Sequence, residues 1–237
     1  MTRRFVAPLL QRFYARRWAL LGLFCGIGIP LLLFGSLAED VWTREGFSWD
    51  TGILLALHAR ATPALDRPML TLTAIGGPLP MAALAGAIAL FLVWRRWPGN
   101  AALFATIVGG AALLNLLAKL LFQRQRPTLW PSLAPETDYG FPSGHAMGSM
   151  ALVAALVFLL WGTRWRWPVL VVGTIFVLAV GLSRLYLGVH YPSDILAGWS
   201  ASLAWACGVR ALWRVPVRAL WRERAALRRP REVTPSR

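Results

Sequence analysis

The chain is poor in charged residues: they make up only 15% of its 237 residues, and only 10 residues are acidic. A soluble domain typically has about 25% charged and about 45–50% apolar residues, whereas here 57% of the residues are hydrophobic. A soluble core of this size cannot bury that excess. The composition therefore excludes a soluble globular domain and a disordered chain, and it predicts a protein that resides in a membrane.

Cysteine and lysine are almost absent. The two cysteines, Cys25 and Cys207, lie inside apolar stretches, so neither a disulfide scaffold nor a thiolate metal site is expected. Lys119 is the only lysine, and all other basic residues are arginines. The formal net charge of +15 would suit nucleic-acid binding. However, most arginines lie between and beyond the apolar stretches, which favours a role in membrane topology.

Six apolar segments are long enough, or nearly so, to cross a membrane as helices, for which about 17–25 residues are needed. Of the 25 basic residues, 18 fall on one side of the membrane that these segments imply. The positive-inside rule makes that side cytoplasmic, and both termini are predicted to lie there. The six segments are residues 18–37, 78–94, 101–121, 145–161, 167–187 and 194–213.

The connection between the first two segments, residues 39–77, is too long for a tight turn. Within it, residues 49–61 place apolar side chains at helical spacing, which predicts an amphipathic helix on the outer surface. The expected fold is all-α: a polytopic membrane protein with six transmembrane helices and an outer-face amphipathic helix between the first two. Residues 1–237 are expected to form one domain, with a core over 18–213 and a basic cytoplasmic tail over 214–237 that touches anionic lipid.

Ionisable residues stand where the apolar segments begin and end on the predicted outer side. Basic residues lie in or just after the last turns of the third and fifth segments, and two of only three histidines begin the fourth and sixth. Ionisable groups within spans are costly and usually face a cavity or a partner. The residues predicted to converge at one depth are Lys119, Arg126, Ser143, Gly144, His145, Arg184, His190 and Asp194.

This set of side chains suits the transfer of a phosphoryl group. Arginine binds a dianion through a planar fork and lysine through a point charge. Helices capped by Ser143 and Ser193 would present free N–H groups to phosphate. One imidazole can attack phosphorus while the other protonates the departing oxygen, and a carboxylate four residues after His190 can orient that ring. Because the sequence has no carboxylate cluster for a divalent ion, no metal and no cofactor is expected.

Three short motifs follow one another between residues 119 and 194. They are Lys119 through Arg126-Pro127, then Pro142-Ser143-Gly144-His145, then Ser183-Arg184 with His190 and Asp194. Together they resemble the signature of the type 2 phosphatidic acid phosphatase family, the integral-membrane lipid phosphate phosphatases. The resemblance implies a nucleophilic His190, an orienting Asp194 and a general acid at His145. It further implies that the phosphoryl oxygens are held by Lys119, Arg126, Ser143, Gly144 and Arg184.

The resemblance implies a lipid phosphate or diphosphate phosphatase of a bacterial inner membrane, working without metal through a phosphohistidine at the periplasmic face. Undecaprenyl pyrophosphate is the expected substrate. Phosphatidylglycerophosphate, phosphatidic acid and phosphotransfer to a lipid or sugar hydroxyl remain alternatives, because the motifs are shared. The expected partners are the lipid substrate and membrane lipids, with no nucleic acid and no obligate protein partner. Glu136 and Asp138, between the first two motifs, are interpreted as solvated loop charges or as groups that influence headgroup choice.

Overall fold

The computed structural model describes residue 17 and residues 20–227, the side chains of 214–227 excepted. The predicted start of the first span at residue 18 lies outside this part of the chain, as do residues 228–237 of the predicted basic tail. The described residues form helices and no strands. The helices are α1 (Leu20–Thr43), α2 (Ser48–His58), α3 (Pro63–Ile75), α4 (Pro78–Trp94), α5 (Pro98–Phe122), α6 (Gly144–Leu159), α7 (Arg166–Tyr186) and α8 (Pro192–Leu227).

As far as the structure describes them, the six predicted apolar segments fall mainly on helices, namely α1, α4, α5, α6, α7 and α8. Four helices are long and apolar enough to cross a membrane: α1, α5, α7 and the part of α8 over Pro192–Trp213. The pair α3 and α4, bent by 46°, could form a fifth span. The all-helical membrane fold is therefore confirmed with four or five candidate spans, and the count of six stays a prediction.

Helix α6 is the short central helix of the bundle. It packs against α5, α7 and α8, and most of its side chains are buried. Its 16 residues span only about 24 Å, which is short for a helix that faces lipid. A Cβ placed on Gly198 of α8 would lie 2.9 Å from the carbonyl oxygen of Ser143. A glycine at that position therefore lets α8 approach the start of α6.

Proline begins α3, α4, α5 and α8, as expected at the first helical position, where its missing N–H costs no hydrogen bond. The connection between α3 and α4 is the pair Gly76-Gly77. A Cβ on Gly76 would lie 2.7 Å from a methyl carbon of Val180, so glycine permits α3 to pack closely on α7. The chain bends there, and the C-terminal end of α3 reaches the group of polar residues described below.

Helix α2 begins one residue before the segment predicted to be amphipathic and ends three residues before its end, and it makes more contacts than a surface helix would. Asp50 and Leu54 are buried, and α2 packs against α7 and α8. Its placement on the outer membrane face stays a prediction. The end of α5, the start of α6, the end of α7 and the start of α8 meet near α2, and the irregular segment 123–143 joins α5 to α6 there.

Candidate active site

His190 lies in the short connection between α7 and α8 and is completely buried. Its Nδ1 is 3.4 Å from Oδ2 of Asp194, and its Nε2 is 2.9 Å from a terminal guanidinium nitrogen of Arg126. Because a guanidinium can only donate, Nε2 accepts, and we assign the ring proton to Nδ1, directed at Asp194. Nε2 is therefore the ring nitrogen that carries a lone pair.

The surroundings of His190 favour its neutral form. Burial, followed by the charges of Arg126 and Arg184, holds the pKa of His190 well below the ordinary histidine value of 6.5. The charge of Glu136 acts in the opposite direction without reversing the shift. His190 is thus a neutral imidazole at neutral pH, which is the form of the ring that can attack an electrophile.

The three basic residues predicted to hold phosphate are joined through two acidic residues of the α5–α6 connection. Glu136 pairs with Arg184 and, at 2.6 Å, with Arg126. Asp138 pairs with Lys119, in the last turn of α5, and at 2.5 Å with Arg126. Arg184 is only 1% exposed. These five side chains form one ionic cluster beside His190.

Both acidic residues are ionised within this cluster. Burial would raise the pKa of Asp138, but hydrogen bonds from Lys119 and Arg126 outweigh it and lower the pKa to about 2. Burial would likewise raise the pKa of Glu136, and the charges of Arg184 and Arg126 lower it instead. Both residues lie in the loop, as expected, and the Asp138 side chain is 56% exposed, but both also bind the cations of the cluster, which the interpretation as solvated loop charges left out.

His145 is the second residue of α6, and 8% of it is exposed. A Cβ on Gly77, between α3 and α4, would lie 3.8 Å from Nε2 of the His145 ring, and the hydroxyl of Thr73 in α3 accepts from Arg184. The charges of Arg184 and Glu136 act on both His145 and His190. The two imidazoles thus border the same ionic cluster, as the sequence predicts.

The start of α6 is held in place from both sides. The hydroxyl of Ser143 caps the helix, as predicted, and its backbone N–H donates to the carbonyl oxygen of Asp194 at 3.1 Å. The side-chain amide of Asn115 in α5 donates to the carbonyl oxygen of Pro142 at 3.0 Å. A Cβ on Gly144 would lie 3.0 Å from the Asn115 amide oxygen, so the fit at this position favours glycine.

The predicted capping role of Ser193 is wrong. Ser193 is the second residue of α8, and its N–H and hydroxyl both donate to Asp50 of α2, at 2.9 and 2.5 Å. Arg124 contacts the same Asp50 at 2.9 Å and Asp194 at 2.5 Å. Asp50 and Asp194 are 2% and 0% exposed. A buried ionic chain therefore runs from Asp50 through Arg124 to Asp194, which faces His190.

The structure brings all eight predicted site residues together where α5, α6, α7 and α8 meet. The sequence prediction missed four residues that hold them in place: Asp50, Thr73, Asn115 and Arg124. The sequence did contain a signal for Arg124, because this residue lies only two positions before Arg126 in the first motif. Asn115 also had one, because it lies one helical turn before Lys119 in α5. Asp50 and Thr73 belong to segments far from the motifs along the chain, and no local pattern links them to the site.

Residues 98–218 match the PAP2 superfamily. Phosphatidylglycerophosphatase B of Bacillus subtilis is 31% identical over 180 residues, covering 73% of this chain and 87% of that protein. Undecaprenyl-diphosphatase of Sulfolobus acidocaldarius is 26% identical over 195 residues, covering 80% and 86%.

The fold is also similar to a solved structure. The crystal structure of a transmembrane PAP2-type phosphatidylglycerolphosphate phosphatase from Bacillus subtilis has a TM-score of 0.66 to this chain at 29% identity. The similarity covers 77% of this chain and 94% of that one. Together with the apolar helices, the sequence and structural matches establish that the chain belongs to the PAP2 superfamily and is an integral membrane enzyme of the lipid phosphatase class.

Proposed function

We propose that the protein is a metal-independent phosphatase of lipid phosphates and diphosphates that works through a phosphohistidine on His190. The observation that carries this proposal is the surroundings of the His190 ring. It is a buried, neutral imidazole with Nδ1 facing Asp194 and Nε2 facing Arg126. A nucleophilic nitrogen beside several fixed cations suits attack on a phosphoryl dianion.

Binding of the phosphoryl group is assigned to the predicted cations and to the start of α6. Arg126 and Arg184 offer planar forks that match phosphoryl oxygens, and Lys119 offers a compact charge. The N-terminus of α6 adds the Ser143 hydroxyl, the backbone N–H of Gly144 and the positive end of the helix dipole, whereas the N–H of Ser143 already donates to the carbonyl oxygen of Asp194. These groups also stabilise the charge on the equatorial oxygens during transfer.

In the first chemical step, Nε2 of His190 forms a bond to phosphorus as the bond from phosphorus to the lipid oxygen breaks. His145 supplies the proton that the departing lipid oxygen needs. Asp194 accepts the Nδ1 proton in a hydrogen bond and stabilises the charged ring of the phosphohistidine. In the second step, His145 takes a proton from water, which attacks phosphorus. The N–P bond breaks, orthophosphate leaves, and His190 is restored.

The proposed substrate is undecaprenyl pyrophosphate, and phosphatidylglycerophosphate is the second candidate. The relative from Sulfolobus acidocaldarius is named for a diphosphatase activity on an undecaprenyl lipid. The relative and the solved structure from Bacillus subtilis are named for phosphatidylglycerophosphate. Both candidates present a phosphoryl group at the end of a long apolar lipid, so the same site chemistry serves either one.

We also propose one domain with six spans, both termini in the cytoplasm and the site at the periplasmic face of a bacterial inner membrane. The distribution of 18 of the 25 basic residues on one side supports this orientation. The enclosure of α6 by α5, α7 and α8 supports counting it as a span, because a helix surrounded by protein need not match the bilayer thickness.

The experiment that tests this function measures orthophosphate release by purified protein in detergent with excess EDTA. The panel contains undecaprenyl pyrophosphate, phosphatidylglycerophosphate and phosphatidic acid. We expect EDTA-resistant release, fastest from undecaprenyl pyrophosphate. Fastest release from phosphatidylglycerophosphate would overturn the choice of substrate but not the proposed mechanism. Release that EDTA abolishes would contradict the metal-independent mechanism, and phosphate transfer only to an added alcohol would identify a phosphotransferase.

A further inference from the structure

The three cations of the proposed phosphate site are already paired with carboxylates from one short segment. Glu136 bridges the two arginines of the site, with one carboxylate oxygen on Arg184 and the other on Arg126. Asp138, two residues later, does the same for Lys119 and Arg126. The segment 136–138 thus offsets two of the three positive charges that would otherwise bind a phosphoryl group.

Glu136 also lies close to the attacking atom. Its Oε2 is 4.0 Å from Nε2 of His190, whereas a reacting phosphorus must come within about 3–3.5 Å of the nucleophile. The carboxylate and a phosphoryl group would compete for the same guanidinium donors. Two anions in one site also repel each other. The space in front of His190 therefore cannot hold the Glu136 carboxylate and a substrate phosphoryl group together.

The side chains of these two acids can turn away from the cations without moving a helix. Glu136 and Asp138 lie in the irregular connection 123–143, outside any helix. Their side chains are 27% and 56% exposed, so each carboxylate has a path to water. Asp50 and Asp194 differ in this respect, since both belong to helices and are buried. The carboxylates of the buried ionic chain are therefore fixed, whereas the two carboxylates of the ionic cluster can be displaced.

We propose that Glu136, assisted by Asp138, is an internal competitor of the substrate phosphoryl group and so determines specificity. It leaves Arg126 and Arg184 when a lipid phosphate enters, and it returns as orthophosphate departs. This inference rests on the proposed function of the same site. A lipid phosphate gains additional binding from its apolar chain and displaces the carboxylate, whereas a small phosphate has only its charge and competes poorly.

The test compares the affinity of wild type and Glu136→Gln for orthovanadate and orthophosphate. Glutamine keeps the length and an acceptor oxygen of the side chain but removes its charge. We expect the concentration of either anion that half-saturates the site to fall at least about tenfold, which corresponds to 1.4 kcal/mol. Asp138→Asn should shift it in the same direction by less. Glu45→Gln, an exposed acid outside the cluster, is the matched control and should match wild type.

Anion binding is measured by thermal stabilisation of the purified protein, which requires no lipid turnover. Unchanged or weaker binding in Glu136→Gln would overturn the inference. A loss of kcat without a gain in anion affinity would instead make Glu136 a positioning residue for the arginines, which also overturns it. Tighter anion binding in a protein that hydrolyses no lipid would leave this inference standing and contradict the proposed function.

Discussion

Replacing His190 with alanine is expected to lower kcat for orthophosphate release by about three orders of magnitude or more. The substitution removes the nitrogen that would form the covalent intermediate, and neither His145 nor water can take its place at Nε2. His190 is buried, so loss of fold must be separated from loss of chemistry. His190→Gln, which retains a polar side chain of similar size, should show the same loss with a melting temperature near that of wild type.

The matched control is His58→Ala, which makes the same substitution at a histidine outside the ionic cluster. His58 ends α2 and stacks on Trp130, with the ring centroids 4.0 Å apart. This variant should turn over lipid at a rate close to that of wild type. Undiminished release by either folded His190 variant would contradict the assignment of the nucleophile.

Replacing Arg124 with alanine is expected to destabilise the protein by about 3–5 kcal/mol, because it leaves two buried carboxylates without their cation. Arg124 bridges Asp50 and Asp194, and its guanidinium lies 4.5 Å from the centre of the Tyr191 ring. A fall in melting temperature on the order of 10 °C is expected for a chain of this length. Turnover should fall as well, because Asp194 loses the group that fixes its position opposite His190.

Two further variants show whether the unpaired buried carboxylates cause the loss of stability in Arg124→Ala. Combining Arg124→Ala with Asp50→Asn should recover part of the lost stability, because one of the two uncompensated carboxylates is then neutral. Arg67→Ala, which changes an exposed arginine of α3, should leave the melting temperature almost unchanged. If Arg124→Ala melts within a degree or so of Arg67→Ala, the buried ionic chain does not stabilise the fold as described.

The helices could be predicted from the sequence because long apolar runs end at prolines and arginines. The boundaries of α4 agree with the prediction at both ends, and those of α7 differ by one residue. Helix α3 was not foreseen, because Pro63–Ile75 includes polar and charged residues and does not form an apolar run. Its place in the bundle follows only from the structure, in which α3 packs on α7 and bends into α4, a candidate span.

The sequence predicts those site residues that lie at helix ends on one side of the bundle. Because the successive helices α5 to α8 run in alternating directions, the starts of α6 and α8 lie beside the ends of α5 and α7. The contact between Asp50 and Arg124 joins residues 74 positions apart, which no local pattern indicates. Ser193 was misinterpreted because serine at a helix start usually caps it, and the carboxylate that binds it comes from α2.

The proposed mechanism requires that His190 carries the phosphoryl group during turnover. The most direct test mixes purified protein with a lipid substrate labelled in its terminal phosphate, stops the reaction in alkaline denaturant, and maps the label by mass spectrometry. We expect an acid-labile, base-stable phosphoryl group on Nε2 of His190 that is absent from His190→Gln. A phosphoryl group on Ser143 or any other residue, or turnover with no covalent phosphate at all, would contradict this mechanism.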